Sequence, residues 1–487
     1  MISSKQVIKH KKRTTACSKT FTLPFEHAVW YNSEKSKGEK QMKSISRFIA
    51  LALAMVLALC GLPAMAEESA PAEYVKGAYT YILLEDGTAE IVGYSGKSDS
   101  SGVPVELDGH IVSSVRGNPF ASNKELKRFD VDPAHPYFAV IDGVLFRKAD
   151  KRLVAYPPKA AATAYSVPNG IRIIGDEAFA NCKALRTITL PDTLTTIGDS
   201  AFKACRELAS MTIPAGVTDI GMGTFWNCSK MISVTLPEGI AQIGDKMFRN
   251  CECLREIVIP ESVTFIGDEA FGKCDALQSI TIPAGVQNLG PNPFVVCDKL
   301  TEIIVADGNP VLESAEGVLY WKNGAEKHLV TYLNALPAEE YTVADDVTVI
   351  GDNAFWACQT IQSVTFSQGL TSIGEYAFAR CENLASITLP EKLTDIGRYA
   401  FSDCNRLQSA VVPDGVTILK EGTFDGCTKL TSLTLPASLT AIERRSFAYN
   451  TSAAPVLTVP RDSYAESFAR EHYLSFNYPD SNDWLND

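Results

Sequence analysis

Ten cysteines recur at a fixed spacing, and thiols in such a series could form disulfide bonds or bind a metal ion. Consecutive members are 23 residues apart, except across one gap in the middle of the series. In-register thiols on parallel coils point the same way, which disfavours bonding between them. We therefore interpret the series as a buried column in which cysteine acts as a small hydrophobic residue. The ten are Cys182, Cys205, Cys228, Cys251, Cys274, Cys297, Cys358, Cys381, Cys404 and Cys427.

Other residue groups that could support catalysis are incomplete. Gly96-Lys97-Ser98 resembles the end of a phosphate-binding loop, but Ile91 stands where that motif requires its first glycine. The six histidines are scattered, without the H-E-x-x-H spacing of a zinc protease. A catalytic triad assembled from distant parts of the chain stays open. The sequence favours a protein that is not an enzyme and predicts no cofactor and no metal.

An apolar segment near the N-terminus has the features of a signal peptide. Residues 42–66 contain a basic start, the apolar run Phe48–Leu59 and the cleavage pattern Ala64-Met65-Ala66. We expect cleavage near Ala66 and interpret residues 1–41 as a non-native extension before the true start at Met42. Lipidation of Cys60 is an open alternative.

The charge balance limits the class of partner. Residues 1–66 hold 11 of the 45 basic and three of the 57 acidic residues, which leaves 34 and 54 beyond them and a net charge of −20. Such a surface repels nucleic acid and anionic lipid. We expect basic or neutral partners, no nucleic acid, and no transmembrane segment in the mature chain.

A phenylalanine lies three residues before each of these cysteines and follows the same period. One unit contains Leu185-x-x-Ile188-x-Leu190, in which apolar and polar residues alternate as in a β-strand, and then Pro191, which ends the strand. One unit cannot bury its apolar face alone, so neighbouring units must stack. The phenylalanines are Phe179, Phe202, Phe225, Phe248, Phe271, Phe294, Phe355, Phe378, Phe401, Phe424 and Phe447, with Phe120 in an earlier degenerate unit.

The units predict an α/β repeat solenoid with 23-residue coils. A parallel β-sheet would form one face, and short helical or 3₁₀ turns and loops the other. We expect the solenoid to span residues 118–450, with similar β-hairpin insertions near 133–165 and 307–342. An N-terminal β-hairpin cap is predicted at 67–117, and a strand–helix cap with a polar tail at 451–487.

The unit LxxIxIPxxVTxIGxxAFxxC is similar to the BspA-like (treponemal-type) leucine-rich repeat of bacterial surface proteins. The match is close from Phe179 to Cys297 and from Phe355 to Cys427. The resemblance implies an exported adhesion-like protein that binds a protein or glycan, including host extracellular ligands. A structural or self-associating surface protein without a specific soluble ligand is the alternative, and the oligomeric state is open.

Two columns of serine and threonine lie on strand positions that face away from the core, on the predicted concave sheet. They favour either a simple exposed strand surface or a neutral hydrogen-bonding surface. Departures from the columns mark candidate positions for specificity, and three tryptophans are candidate interface anchors or packing residues. The candidate binding residues are Arg255, Glu256, Val258, Thr301, Glu302, Ile304, Trp226, Trp321 and Trp356.

Overall fold

The computed structural model describes residues 71–449 and 454–479, so the signal peptide and extension predicted for residues 1–66 lie outside it. The described residues from 72 onward belong to one compact unit. They form short strands and one α-helix, α1 (Tyr464–Glu471). No helix in this part of the chain is long and apolar enough to cross a membrane.

A small sheet opens the described chain. Its strand order is β1-β2-β3-β6-β5, while β4 pairs with β7 in parallel. Gly87, with φ of +79°, lies in the tight turn between β2 and β3. The strands are β1 (Glu73–Lys76), β2 (Tyr79–Leu83), β3 (Ala89–Tyr94), β4 (Ser100–Gly102), β5 (Glu106–Leu107), β6 (His110–Val115) and β7 (Arg128–Asp130).

Two antiparallel three-stranded units are joined to the stack of coils in the same way. In each unit the third strand pairs with an antiparallel neighbour on one edge and with a parallel strand of the next coil on the other. Arg152 is in register with Ile173, and His328 with Val349. The strands are β8 (Phe138–Ile141), β9 (Val144–Arg147) and β10 (Arg152–Ala155) in the first unit, and β23 (Leu312–Ala315), β24 (Val318–Asn323) and β25 (Glu326–Tyr332) in the second.

Each regular coil contributes strands to two parallel ladders. The first ladder contains Thr187–Thr189 and its equivalents, and the second contains Thr196–Ile197 and its equivalents. Paired residues of the regular coils are 23 positions apart, which confirms the predicted period. At the C-terminal end of the first ladder the separation is 24 and then 19 positions. Between the hairpin units the strands are β11 (Ala164–Ser166), β12 (Ile173–Ile174), β13 (Thr187–Thr189), β14 (Thr196–Ile197), β15 (Ser210–Thr212), β16 (Asp219–Ile220), β17 (Ser233–Thr235), β18 (Gln242–Ile243), β19 (Phe265–Ile266), β20 (Ser279–Ile282), β21 (Asn288–Leu289) and β22 (Glu302–Val305).

The coils beyond the second hairpin unit continue both ladders. The first ladder ends where β36 pairs with β37 beside α1. Ser463 caps α1 by accepting a hydrogen bond from the Glu466 main-chain N–H at 3.1 Å. The strands are β26 (Glu340–Thr342), β27 (Val349–Ile350), β28 (Ser363–Thr365), β29 (Ser372–Ile373), β30 (Ser386–Thr388), β31 (Asp395–Ile396), β32 (Ser409–Val411), β33 (Ile418–Leu419), β34 (Ser432–Thr434), β35 (Ala441–Ile442), β36 (Val456–Thr458) and β37 (Phe476–Asn477).

Phenylalanine rings stack through the core in two columns. Phe202 and Phe225 lie 5.5 Å apart between ring centroids, with their planes inclined by 9°. Tyr156 begins the first column against Phe179, and Tyr332 begins the second against Phe355. Because these rings are fully buried, each coil completes the core of its neighbour.

The buried thiols link successive coils. The Cys228 thiol donates to the Phe202 carbonyl of the preceding coil at 3.1 Å, and the Cys381 thiol donates to the Phe355 carbonyl at the same distance. Burial raises the pKa of the Cys297 thiol to about 12. The column is therefore neutral and made of weak hydrogen bonds, as a structural role requires.

The segments that carry the phenylalanines are hydrogen-bonded turns, so the expected short helical or 3₁₀ turns, and with them the α/β description, are not confirmed. Their geometry gives the reason. Residues two before and two after the phenylalanine have positive φ, such as Ser200 at 54° and Ala204 at 58° around Phe202. Left-handed residues on both sides prevent continuation as a right-handed helix. The fold is a leucine-rich repeat β-solenoid.

Candidate binding surface

The first ladder presents its polar side chains to solvent. Thr187 and Thr189 are exposed on either side of buried Ile188, and Ser210 and Thr212 repeat the pattern one coil later. Cross-strand neighbours are therefore hydroxyl groups in regular columns. Threonine also suits an exposed strand for its backbone preference alone, so the regular columns by themselves do not define a site.

The first ladder is discontinuous between β13 and β15 and between β30 and β32, and one coil contributes no strand to it. Ser233–Thr235 pairs with the coil before it, and Ser279–Ile282 pairs with the coil after, but Glu256–Val258 between them belongs to no strand. Among the described residues, the main-chain groups of Glu256, Ile257 and Val258 make no hydrogen bond to a neighbouring coil. Unpaired groups of this kind are normally satisfied by water or by a ligand.

The side chains of this coil are also displaced from the usual burial pattern. Ile257 is half-buried, whereas the equivalent residues Val234 and Ile280 are 6% and 2% exposed. Val258 is 79% exposed where most coils carry threonine. The coil therefore offers branched aliphatic surface to solvent.

A groove of about 290 Å³ lies at this interruption. It combines an exposed aliphatic strip with charges at its edge, as the central part and rim of a protein interface do. Its lining residues are Arg255, Glu256, Ile257, Val258, Ile259, Glu261, Ser279, Ile280, Thr281 and Pro283.

Six of the nine candidate residues lie on this stretch of the first ladder. Arg255, Glu256 and Val258 line the groove. Thr301, Glu302 and Ile304 lie two coils further on, beyond the groove wall formed by Ser279 and Thr281. Ser279 is in register with Glu302, and Thr281 with Ile304. The structure thus brings the two departures from the hydroxyl columns onto one continuous surface.

The three tryptophans do not line the groove. Trp321 lies in β24, where it contacts His328 and donates its indole N–H to the Gln287 carbonyl at 3.1 Å. It therefore packs the second hairpin unit against a coil.

The other two tryptophans follow buried phenylalanines in the turn segments, and both are half-buried. The Lys203 ammonium lies 4.6 Å above the Trp226 ring, a cation–π contact. The buried Trp226 indole N–H has no hydrogen-bond partner among the described residues. Asn334 donates to the Trp356 carbonyl at 3.2 Å.

The sequence reasoning missed the apolar wall of the groove. Ile257 keeps the spacing of a core residue, and Ile280 and Pro283 belong to an ordinary neighbouring coil. A signal was present, because Ile257-Val258-Ile259 places three aliphatic residues in a row, as Ile303–Val305 and Ala410–Val412 also do, where most coils alternate apolar and polar residues. Such a run predicts one aliphatic side chain facing solvent.

A second groove, of about 220 Å³, lies between the N-terminal sheet and the first hairpin unit. Its charges satisfy one another. Arg147 and Arg152 both bind Asp150, whose pKa falls to about 2 because hydrogen bonds from these arginines outweigh its burial. Arg116 binds Glu90 through two nitrogens. Ser114, which donates to Glu90 and accepts from Arg147, joins the two units, and the network leaves little unpaired charge for a ligand.

Two further properties of the described residues concern chemistry. Within ranges 71–449 and 454–479, no group of three histidine, cysteine, aspartate or glutamate residues could hold a metal ion. The lining of the larger groove contains aliphatic, hydroxyl, carboxylate and guanidinium groups. These groups suit recognition by contact, charge and hydrogen bonding.

Stacked 23-residue coils with a regular hydroxyl-bearing ladder define a leucine-rich repeat protein. The chain belongs to the family described as BspA type leucine-rich repeat region, which matches residues 158–275, 242–315 and 331–454 in six copies. These ranges cover more than half of the chain. No curated protein matches it.

Several solved structures are similar to this chain. A leucine-rich cell surface protein from Faecalibacterium prausnitzii is 25% identical over 86% of this chain and 98% of its own, with a TM-score of 0.49. A leucine-rich repeat protein from Eubacterium ventriosum is 21% identical over 78% and 89%, with a TM-score of 0.49. The pneumococcal vaccine antigen PcpA is 16% identical over 84% and 98%, with a TM-score of 0.46.

Proposed function

We propose that this protein is an exported, cell-surface binding protein that recognises a protein or glycan through the groove at Arg255–Pro283. The observation that carries the proposal is the interrupted ladder at Glu256–Val258, which leaves main-chain groups and Val258 open to solvent. Host extracellular ligands are included in this proposal. The role is recognition, without catalysis or a cofactor.

Export rests on the residues before the described part. The apolar run and small-residue cleavage pattern of 42–66 suit a signal peptide cleaved near Ala66, which would place the repeats outside the cytoplasm. Membership of the BspA-type repeat family supports a surface location. The proposed mature chain begins with the strand-rich cap and continues into the coils, with the three-stranded units inserted between them.

The proposed site consists of a few side chains that a partner could contact directly. An exposed branched side chain beside charges can bury apolar surface while the charges orient the partner. Arg255 and Glu256 stand on adjacent positions, so the two signs of charge lie side by side. Glu302 and Ile304 extend the same surface through paired strands. Trp226 and Trp356 remain candidate anchors for a second contact on the turn segments.

A binding screen with a matched variant tests the proposal. The secreted protein is applied to immobilised extracellular matrix proteins and glycans, together with Val258→Asp and an Arg255→Ala/Glu256→Ala double variant. The control is Val411→Asp, since Val411 is 60% exposed at the equivalent ladder position in a coil away from the groove.

The expected result is saturable binding to at least one ligand that both groove variants lose and Val411→Asp retains. Binding that survives both groove variants would overturn the proposal. Light scattering of the same samples addresses self-association. Concentration-dependent oligomers without any ligand would favour the structural alternative and would also overturn the proposed role.

A further inference from the structure

On the surface that includes the groove, an acidic residue and an exposed aliphatic residue recur together in alternate coils. Glu256 and Val258 form the first pair, and Glu302 and Ile304 form the second. Ser279 and Thr281 occupy the coil between them and are shorter. Adjacent parallel strands lie about 4.8 Å apart, so equivalent positions two coils apart are separated by about 9.6 Å.

The acidic side chains of both pairs are accessible to a ligand. Glu256 and Glu302 are exposed, and neither forms an ion pair within the described residues. Glu261 adds a third exposed carboxylate to the groove, against the single positive charge of Arg255. The excess of negative charge favours a cationic partner, as does the net charge of −12 of the whole chain.

The main chain of the interrupted coil places a second requirement on the ligand, which must supply hydrogen-bond acceptors. Glu256, Ile257 and Val258 present N–H groups without partners in the neighbouring coils. A ligand with free carbonyl groups can accept from them. An α-helix uses its carbonyls internally, whereas a polyproline II segment leaves its backbone solvated and available.

We propose that the groove and the adjoining coil at Glu302–Val305 together bind a cationic polyproline II segment of a partner protein, with basic side chains at every third position over Glu256 and Glu302. This inference rests on the proposed function. A polyproline II helix repeats every three residues, a rise of about 9.3 Å, close to the two-coil spacing. Each basic side chain meets one carboxylate, and the apolar prolines between them lie on Val258 and Ile304.

Synthetic peptides test the spacing. The probe is a proline-rich octapeptide with two lysines three positions apart, and its matched controls carry the lysines four positions apart or replace them with glutamine. Calorimetric titration of the mature protein is expected to detect the probe and to show weaker binding of both controls. Binding of the probe should also weaken with added salt, because exposed charges are screened.

Variants test the residues. Glu256→Gln and Glu302→Gln are each expected to weaken the probe about twofold to fivefold, the range for an exposed ion pair. Glu340→Gln is the control, because Glu340 is exposed at the equivalent ladder position outside the groove and is in register with Ser363. Equal affinity for all peptides, or no effect of Glu256→Gln and Glu302→Gln, would overturn the inference.

The two proposals fail in different ways. If a matrix ligand is lost with Val258→Asp but unaffected by Glu256→Gln and Glu302→Gln, the groove binds a partner of other chemistry and only the present inference falls. If Val258→Asp changes neither the matrix ligand nor the peptide, the groove is not the binding site and both fall.

Discussion

Asn292 donates its side-chain amide to the Asn353 carbonyl at 2.7 Å, across 61 residues and past the whole second hairpin unit. Asn118 makes the equivalent bond to the Glu177 carbonyl at 2.9 Å, past the first unit. Each asparagine lies two residues before a buried phenylalanine, and each side-chain oxygen accepts that phenylalanine's main-chain N–H. In both places, the same asparagine-to-carbonyl hydrogen bond connects the coils before and after the inserted unit.

Replacing Asn292 tests this bridge. Asn292→Ala would leave the Asn353 carbonyl and the buried Thr331 hydroxyl without their partner. Since an unsatisfied buried polar group costs about 1–3 kcal/mol, the free energy of unfolding of the variant should fall by an amount in that range, and its urea unfolding midpoint should fall with it. The control is Asn323→Ala at the exposed tip of the second unit. Equal unfolding midpoints for both variants would contradict the bridge.

His135 occupies, in the first hairpin unit, the place that Asn309 occupies in the second. Its Nδ1 accepts the main-chain N–H groups of Tyr137 and Phe138, as the Asn309 side-chain oxygen accepts those of Val311 and Leu312. Nδ1 therefore carries no proton, and Nε2 donates to the Pro104 carbonyl at 3.1 Å. Burial, the larger cause, and nearby Lys148 lower the His135 pKa below its ordinary value of 6.5.

Acid should therefore weaken the N-terminal part of the molecule. The folded state holds His135 neutral, so its contribution to the free energy of unfolding is complete above pH 6.5 and is lost as the pH falls below that value. His135→Asn keeps the acceptor and removes the titration. Urea unfolding of both proteins from about pH 8 to about pH 5 should show the wild type losing stability relative to the variant. A pH-independent difference would contradict this account.

The cysteines should divide sharply in reactivity. Among the eleven described cysteines only Cys253 is exposed, while burial raises the pKa of column thiols such as Cys228, Cys274 and Cys381 well above the ordinary value. Thiolates are the reactive form. Peptide mapping after brief alkylation of the native protein should find Cys253 modified and the column intact, with all of them modified after unfolding. Native labelling of Cys228 or Cys381 would contradict the buried column.

One residue of the turn segments carries backbone strain. Val296 has φ of 54°, a conformation that a β-branched residue rarely adopts, whereas the equivalent Asn227 and Asn250 tolerate it. Val296→Asn should raise the free energy of unfolding by about 1 kcal/mol. Val411→Asn is the control, since Val411 is exposed in a regular strand. A loss of stability in Val296→Asn, measured by urea unfolding, would show that Val296 packing outweighs the strain.

Regular spacing made the stack predictable. Phenylalanines every 23 residues fix both the coil length and the buried ring column, because equivalent residues of parallel coils must lie above one another. The second ladder was not predicted. Its strands are two residues long, as at Thr196–Ile197, and show no alternation to recognise. The turn segments, such as Asp199–Phe202, were expected to be short helical or 3₁₀ turns, but the sequence pattern does not reveal their left-handed backbone.

The sequence identified side chains of the candidate surface but did not predict the groove. Arg255, Glu256 and Val258 stand out because they break the hydroxyl columns, and they do line the groove. The loss of ladder pairing depends on main-chain geometry, to which Ile257 gives no clue since it keeps its spacing. Trp321 stood out by residue type, yet its contacts to His328 and Gln287 are those of a packing residue.

Amide hydrogen exchange of the native protein at single-residue resolution tests the opened coil most directly. Ladder amides are protected by the adjoining coil, whereas unpaired amides exchange quickly. The Ile257 and Val258 amides should exchange much faster than those of Val364 and Thr365, whose strand is paired on both sides, and should slow when a groove ligand binds. Equal protection of the two pairs in the free protein would show that the ladder is continuous there and that no open groove exists.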